Sequence, residues 1–306
     1  MKKINNTIII GIDHGYGNIK TANCCFPTGL MKSNTEPTFA TDLLIWNSTY
    51  YSIGVGHKEF TADKFKDDDY YVLTLAAIAR ELRRENITTA DVHIAAGLPL
   101  TWVSQQKTDF KQYLLRNETA DFVFRGVDYH IRFVGADIFP QGFAAVANRL
   151  HEFPGVTMLC DIGNGTMNLL RIADKKPDAR NMYTEKYGTH QCTLAIRENM
   201  MKEHHASLDE SIIREVLKTG SADIDAEYLK TVTDTAGQYT AGIFRRLRER
   251  EYDPKLMRLF VVGGGGCLIK NFADYDKSRV TICDDICATA KGYEYMAETT
   301  LKRGRR

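Results

Sequence analysis

Residues 8–18 read IIIGIDHGYGN and residues 158–168 read MLCDIGNGTMN. Each is an apolar run that stops at an aspartate, Asp13 or Asp161, and continues into two glycines one residue apart. Such a run, ended by Asp-x-Gly, reads as a buried strand entering a tight turn. Glycines there let backbone N–H groups face an anion with no Cβ in the way. The carboxylate at the strand end can hold a hydrated Mg²⁺. In the first segment Lys20 returns on the next strand, where its ammonium can lie near phosphate; in the second, Thr166 adds a hydroxyl donor. Either segment alone also fits an ordinary β-turn with a helpful glycine pair. Together they form a weak internal duplication and suggest two similar halves.

Outward from these segments, strand and helix signals alternate, which points to α/β architecture. A strand is expected around Tyr50–Val55. A helix is expected over Tyr70–Asn86, with Leu73, Ala76, Ala77, Ala79 and Leu82 inside and Arg80, Arg83 and Arg84 outside. Val92–Ala96 reads as a strand closed by Gly97-Leu98-Pro99, Gln105–Arg116 as an amphipathic helix, and Phe122–Val134 as a hairpin turning at Gly126. Pro140 just before a helix start suggests a helix over Gln141–Leu150. Pro154-Gly155 marks the best internal boundary. Leu169–Ile172 returns as a hairpin partner, and residues 190–250 read as mostly helical with breaks near Gly220 and Gly237. Leu259–Val262 is a third apolar strand, and a last helix runs from about Ile286 to Leu301 before the basic tail Lys302–Arg306.

At 306 residues the chain suggests two domains. Hydrophobic residues make up 43% and charged residues 26%, enough for a large core with no disulfide or metal staple. Forty Lys and Arg against thirty-nine Asp and Glu leave a net charge of +1. That balance gives no bulk electrostatic reason to bind nucleic acid or an anionic membrane directly. Seven cysteines without a CxxC read as reduced thiols of a cytoplasmic protein. The apolar run Ile8–Ile10 is too short for a signal-peptide core, and no stretch of about twenty apolar residues suggests a membrane span. GxxxxGK[ST], a complete GxGxxG after a strand, and GxSxG are all absent, against a P-loop NTPase, a Rossmann dehydrogenase and a serine hydrolase. Glu203-His204-His205 reads as a solvated helix rather than a zinc site, because adjacent histidines leave a helix on different faces. Arg245, Arg246, Arg248 and Arg250 read as surface charge.

Three further segments carry chemistry. Gly263-Gly264-Gly265-Gly266, after a strand and before a helix, lets the backbone approach a nucleoside closely, although a tight strand–helix junction explains it too. Gln141, in Phe139-Pro140-Gln141-Gly142, can orient a water for in-line attack, or serve as a polar surface residue. Ala288-Thr289-Ala290-Lys291-Gly292-Tyr293 reads as close packing.

In order and spacing, the two hairpins, the Gln141 segment, the glycine loop and the last helix resemble the actin/Hsp70/sugar-kinase superfamily. Within it, Gly11-Ile12-Asp13-His14-Gly15-Tyr16-Gly17-Asn18-Ile19-Lys20, Asp68-Asp69-Tyr70-Tyr71 and Ala96-Gly97-Leu98-Pro99-Leu100 are similar to bacterial actin-like plasmid-segregation ATPases of the ParM/StbA type. The resemblance spans Ile8 to Glu294 and is weakest at 21–50 and 195–255. It implies an α/β actin-like ATPase fold, with two RNase H-like lobes around a nucleotide cleft and a small outer subdomain on each. Lobe I would comprise 1–154 and 287–306, with an outer insertion at about 28–68. Lobe II would comprise 155–286, with an outer insertion at about 190–255.

The resemblance also implies ATP (or GTP) as substrate, with Mg²⁺ held through water by Asp13 and Asp161. Gly15, Tyr16, Gly17, Asn18, Lys20, Gly163, Asn164, Gly165 and Thr166 would cradle phosphates, Gly263, Gly264, Gly265 and Gly266 would lie against the adenosine, and Gln141 would position the lytic water. The implied partners are further copies of the chain in a filament and a ParR-like DNA-binding adaptor, without direct DNA or membrane contact. The runner-up is a small-molecule, sugar-type kinase of the same superfamily, which would need an acidic base in the cleft. No convincing acid stands beside the phosphate motifs. A chaperone-like switch would need a substrate-binding appendage, and a cell-shape actin an apolar membrane-binding loop or N-terminus.

Overall fold

The structure is a computed structural model that describes residues 1–39, 41–56 and 67–304. Residues 40 and 57–66 of the insertion expected at about 28–68, and Arg305 and Arg306 of the basic tail, lie outside the described residues. The chain opens with β1 (Lys2–Ile4), β2 (Thr7–His14), β3 (Asn18–Lys20), β4 (Cys25–Pro27), β5 (Leu30–Ser33), β6 (Leu43–Trp46) and β7 (Thr49–Ile53). Then come α1 (Asp69–Arg83), β8 (Thr89–Leu98), α2 (Val103–Leu114), β9 (Thr119–Phe124) and β10 (Val127–Pro140). Two short 3-10 segments, Phe143–Val146 and Leu150–Glu152, lead to β11 (Val156–Ile162), β12 (Met167–Ala173) and β13 (Lys176–Glu185). Helices α3 (Thr189–His204), α4 (Glu210–Thr219) and α5 (Ala226–Glu249) precede β14 (Arg258–Val262), α6 (Gly266–Phe272), β15 (Val280–Ile282) and α7 (Ala288–Arg303). Two compact units result, Met1–Asn148 with Cys287–Arg306, and Arg149–Ile286.

The first unit is built on a ten-stranded sheet ordered β4-β3-β2-β8-β10-β9-β6-β7-β5, with β1 paired to β2. Strands β2, β8 and β10 run parallel, so they are buried on both faces and read as apolar runs. One face carries Ile8, Ile10, Ile12, Val92, Ile94 and Ala96 against α1 and α2. The other carries Ile9 and Ala95 against Tyr293 and Ala297 of α7. Each fully buried large side chain contributes roughly 1.5–3 kcal/mol. Helix α1 is buried almost all round, beyond the single inner face expected. Arg80, expected outside, is only 16% exposed, because it pairs with Asp42 and lies 4.4 Å over the Phe26 ring.

The second unit holds a five-stranded sheet ordered β13-β12-β11-β14-β15. Its core sets Met158, Cys160, Ile162, Leu169, Leu259 and Val261 against Ile196, Val216, Val232, Ile243 and Leu268 from the helices. Asp225 caps α5 by accepting from Glu227 N and Tyr228 N. Gly220, at φ 86°, ends α4 as expected. Gly237 does not break a helix. It lies inside α5, where its cost of about 1 kcal/mol is outweighed by buried Val232, Ala236, Tyr239, Ile243 and Leu247.

The two sheets share one design. In β4-β3-β2-β8-β10 and in β13-β12-β11-β14-β15, the first two pairings are antiparallel and the last two parallel. The duplication read from two short segments therefore extends to five strands. One strand is new and one further local expectation fails. β13 carries no alternating pattern in KPDARNMYTE and was not expected. The expected helix over Gln141–Leu150 is instead the two 3-10 segments. Pro140 still belongs to β10, and Gly142 takes φ 75°, a left-handed turn that stops an α-helix from starting at Gln141. Ala145 and Ala147 then bond back to Gly142 and Ala144, the i→i+3 pattern of a 3-10 turn.

Candidate functional site

In the first unit, β2 carries Asp13 to the end of the central parallel strands, and β3 returns so that Lys20 stands directly opposite it. Lys20 Nζ lies 3.2 Å from Asp13 Oδ2. The Gln141 backbone N–H bonds to Leu98 O at 2.8 Å, which ties the end of β10 to the end of β8. That brings the Gln141 side chain beside β2, where Nε2 donates to Asp13 Oδ1 at 3.1 Å. Asp13 is 7% exposed and Gln141 9%. Two side chains that the sequence singled out, Lys20 and Gln141, therefore converge on the Asp13 carboxylate.

The strand end is anchored from below by His14, which is fully buried and edge-on to Tyr70 and Phe110. Its Nε2 lies 2.8 Å from Thr74 Oγ1, whose hydroxyl proton goes to Tyr70 O at 2.6 Å. Thr74 must then accept, so His14 carries its proton on Nε2 toward Thr74. Thr28 holds the turn from above, its hydroxyl donating to Gly15 O at 2.8 Å and its N–H to Gly17 O at 3.1 Å. Burial pushes the Tyr16 phenol above its usual range, so it stays protonated. A residue that sequence reading missed completes this side. Glu81, fully buried in α1, accepts from Thr21 Oγ1 at 2.5 Å and from Asn23 N and Nδ2, both at 2.9 Å. It pins the loop that follows Lys20. No spacing signal announces this, since the contact joins residues sixty apart.

In the second unit, Asp161 ends β11 opposite Asn168 on β12. Asn168 Nδ2 reaches Asp161 Oδ2 at 3.5 Å, and Asn168 Oδ1 accepts from Thr184 Oγ1 at 2.8 Å. Gly163 N bonds to Thr166 O at 2.9 Å and closes the turn. The first backbone N–H groups of α3, Thr189 and His190, bond to Gly163 O and Asn164 O at 3.0 and 2.9 Å. Thr166 is 5% exposed.

The glycine loop folds back on this hairpin. Gly263 takes φ 86°, and a Cβ there would come within 2.6 Å of Asp161 Oδ1 and 2.5 Å of Ile162 O. Gly265 N bonds to Ile162 O at 2.8 Å. A Cβ on Gly264 would meet nothing within 4 Å, which makes it the open face of the loop. Gly266 is already the first residue of α6 and packs on Ile282. Within the run, then, Gly263 meets the neighbouring carboxylate and Gly266 meets the core.

Both carboxylates suit a hydrated Mg²⁺, a hard cation that prefers oxygen and keeps several of its waters. Among the described residues, no group of three or more His, Cys, Asp or Glu could hold a metal directly. Binding through water to single carboxylates fits that donor set. His204 lies 2.8 Å from Thr231 Oγ1 with its ring tilted 55° to that of Tyr228, while His205 is the exposed left-handed cap of α3, so the two histidines face different surroundings. The seven cysteines are all unbridged. Among the described residues, no helix is long and apolar enough to cross a membrane. Arg246 and Arg250, expected as surface charge, pair with Glu185 at 3.3 and 3.1 Å and lie over Tyr187 and Tyr183.

Residues 11–143 match the family model described as the N-terminal domain of actin-like proteins. No curated protein sequence matches the chain. Solved structures do match over nearly its whole length. An archaeal actin homologue in complex with ADP is 19% identical, with 95% of this chain and 99% of the other covered and a TM-score of 0.71. A Bacillus thuringiensis ParM with ATP is 13% identical, with 98% and 100% covered and a TM-score of 0.68. The Alp12 filament structure is also 13% identical, with 97% and 100% covered and a TM-score of 0.68. The chain has the actin-like fold, as the hairpin resemblance implied.

Proposed function

We propose that this chain is a cytoplasmic actin-like ATPase that assembles into nucleotide-dependent filaments and moves plasmid DNA through a DNA-bound, ParR-like adaptor. The observation that carries the reading is the repeated device: an aspartate-tipped hairpin at the same place in the same five-strand frame of each unit. The ADP and ATP of two structural neighbours and the filament of a third point the same way. In this reading the lobes are 1–154 with 287–306, and 155–286, and filament contacts are made through their outer insertions. ATP is the proposed substrate, with GTP an open alternative. The net charge of +1 favours DNA contact through a partner rather than directly.

In this mechanism Gly15, Tyr16, Gly17, Asn18, Gly163, Asn164, Gly165 and Thr166 present the phosphate cradle. Lys20 supplies positive charge and holds Asp13 until phosphate competes for it. Asp13 and Asp161 would hold Mg²⁺ through its waters, and the bound cation would neutralise charge on the phosphate oxygens. Gln141 orients the attacking water; a carboxamide cannot take its proton, so the group acts by positioning. Gly264 offers the open backbone face for the nucleoside.

Sedimentation tests the assembly. The chain should pellet with ATP and Mg²⁺ and stay in the supernatant without nucleotide, and electron microscopy of the pellet should show filaments. Confirmed nucleotide binding with no pellet at high protein concentration would remove the filament role. Label transferred from ATP to a sugar, rather than released as free phosphate, would favour a kinase.

A further inference from the structure

We infer that Thr184, with its neighbour Glu185, is a positioning residue for Asp161, acting through Asn168 from the edge strand β13. This rests on the proposed role of Asp161 toward Mg²⁺, and nothing in the fold comparison assigns it. Register places Thr184 beside Asn168 across β12 and β13, and Asn168 beside Asp161 across β11 and β12. The three side chains form one chain of hydrogen bonds, Thr184 Oγ1 to Asn168 Oδ1 at 2.8 Å and Asn168 Nδ2 to Asp161 Oδ2 at 3.5 Å.

The order of donors matters. A carboxamide can present either end to a neighbour, but only its N–H₂ end attracts a carboxylate. The Thr184 hydroxyl takes the oxygen end of Asn168 and so fixes the nitrogen end on Asp161. Asn168 is 2% exposed, so a turned amide would set oxygen against oxygen where little water can compensate. The 3.5 Å contact is at the outer limit of a hydrogen bond, so a few tenths of an ångström in β13 make or break it.

β13 is an edge strand, paired on one side by β12, and such strands need other fastening. Glu185 provides it. Arg246 Nε of α5 and Nε of Arg250, which caps its C-terminus, lie 3.3 and 3.1 Å from its carboxylate. The Arg246 guanidinium also sits 3.6 Å from the Tyr187 ring centroid, and Tyr187 stacks on Tyr239 at 4.2 Å with 7° between planes. Tyr239 in turn donates to Gly188 O at 2.8 Å, just before α3 meets the hairpin. The end of β13 is thus held between α5 and the hairpin it serves.

The test compares the full-length chain with Thr184→Val, Thr184→Ser, Glu185→Gln, Asn168→Ala and Asp161→Asn. It reads the Mg²⁺ concentration that half-saturates binding of a fluorescent ATP analogue, and separately the binding of that analogue in EDTA. Thr184→Val, nearly isosteric, should raise the Mg²⁺ requirement about 10-fold, as loss of a group supporting a metal-holding carboxylate does. It should leave EDTA binding unchanged. Thr184→Ser should restore the wild-type requirement, and Glu185→Gln should shift it in the same direction by less. If Thr184→Val unfolds the chain, Asn168→Ala must show the same metal-selective shift. An unchanged Mg²⁺ requirement in Thr184→Val, alongside a raised one in Asp161→Asn, overturns the inference and leaves the proposed function standing. An unchanged requirement in Asp161→Asn overturns both.

Discussion

The two aspartate-tipped hairpins occupy the same place in the same strand frame, but their side chains are differently dressed. Opposite Asp13 stands Lys20, a cation 3.2 Å away, and Gln141 arrives from two strands over. Opposite Asp161 stands Asn168, an amide whose other end is tied to the sheet edge. The supports differ as well. The first hairpin is held by α1, through Thr74 and Glu81, and the second by the backbone N–H groups that open α3. Topology therefore fixes where a carboxylate is offered, and the residue across the ladder decides what charge surrounds it. One aspartate is thus partnered by a cation and the other by a neutral amide.

The largest test asks whether both carboxylates are needed. Asp161→Ala and Asp13→Ala should each lower ATP turnover by roughly 10²–10³-fold in a phosphate-release assay, the usual cost of removing a group that stabilises transition-state charge. Normal turnover in either variant would break the functional equivalence of the hairpins. Gln141→Ala belongs to the first hairpin alone and should slow turnover about 100-fold by losing water orientation. Assembly should survive, so filaments should last longer in a light-scattering decay; ordinary turnover in this variant removes the water role.

A smaller effect separates the backbones of the two turns. A Cβ on Gly15 would lie 2.5 Å from Asn18 O, whereas one on Gly163 would lie 3.4 Å from Thr166 O. Gly15→Ala should cost about 1–3 kcal/mol in denaturant unfolding, and Gly163→Ala should stay within about 0.5 kcal/mol. Equal costs would mean that the turns are closer copies than their side chains suggest. Smallest is the contrast within the glycine loop. Gly263→Ala should lower the melting temperature through its φ of 86° and its contact with Asp161, while Gly264→Ala should leave it unchanged.

Much of the site was legible because it is local. Asp13 and Lys20 belong to one hairpin, and so do Asp161 and Thr166. A strand that ends in Asp-x-Gly-x-Gly announces itself within a dozen residues. Gln141 was legible only through its place in the superfamily order, and its partner Asp13 could not be read from neighbouring residues. Glu81, Asn168 and Thr184 gave no sign. Glu81 reads as one more polar position on a helix, and Thr184 sits in a strand without alternation. Arg246 and Arg250 read as solvated charge because their partner Glu185 is far from them in the chain. The 3-10 turns after Pro140 were misread as a helix for the opposite reason. Local propensity there is helical, but Gly142 is held in a left-handed turn.

The sequence alone determined that apolar strands end on carboxylates beside glycine turns, that this happens twice, and that strands and helices alternate between. Those features follow from residue type and short spacing, which act through backbone sterics and burial. Only the tertiary structure decided which groups meet each carboxylate and which arginines brace an edge strand. Such contacts depend on register between strands far apart in the chain, and a ladder shifted by one residue would turn Asn168 and Thr184 to the opposite face.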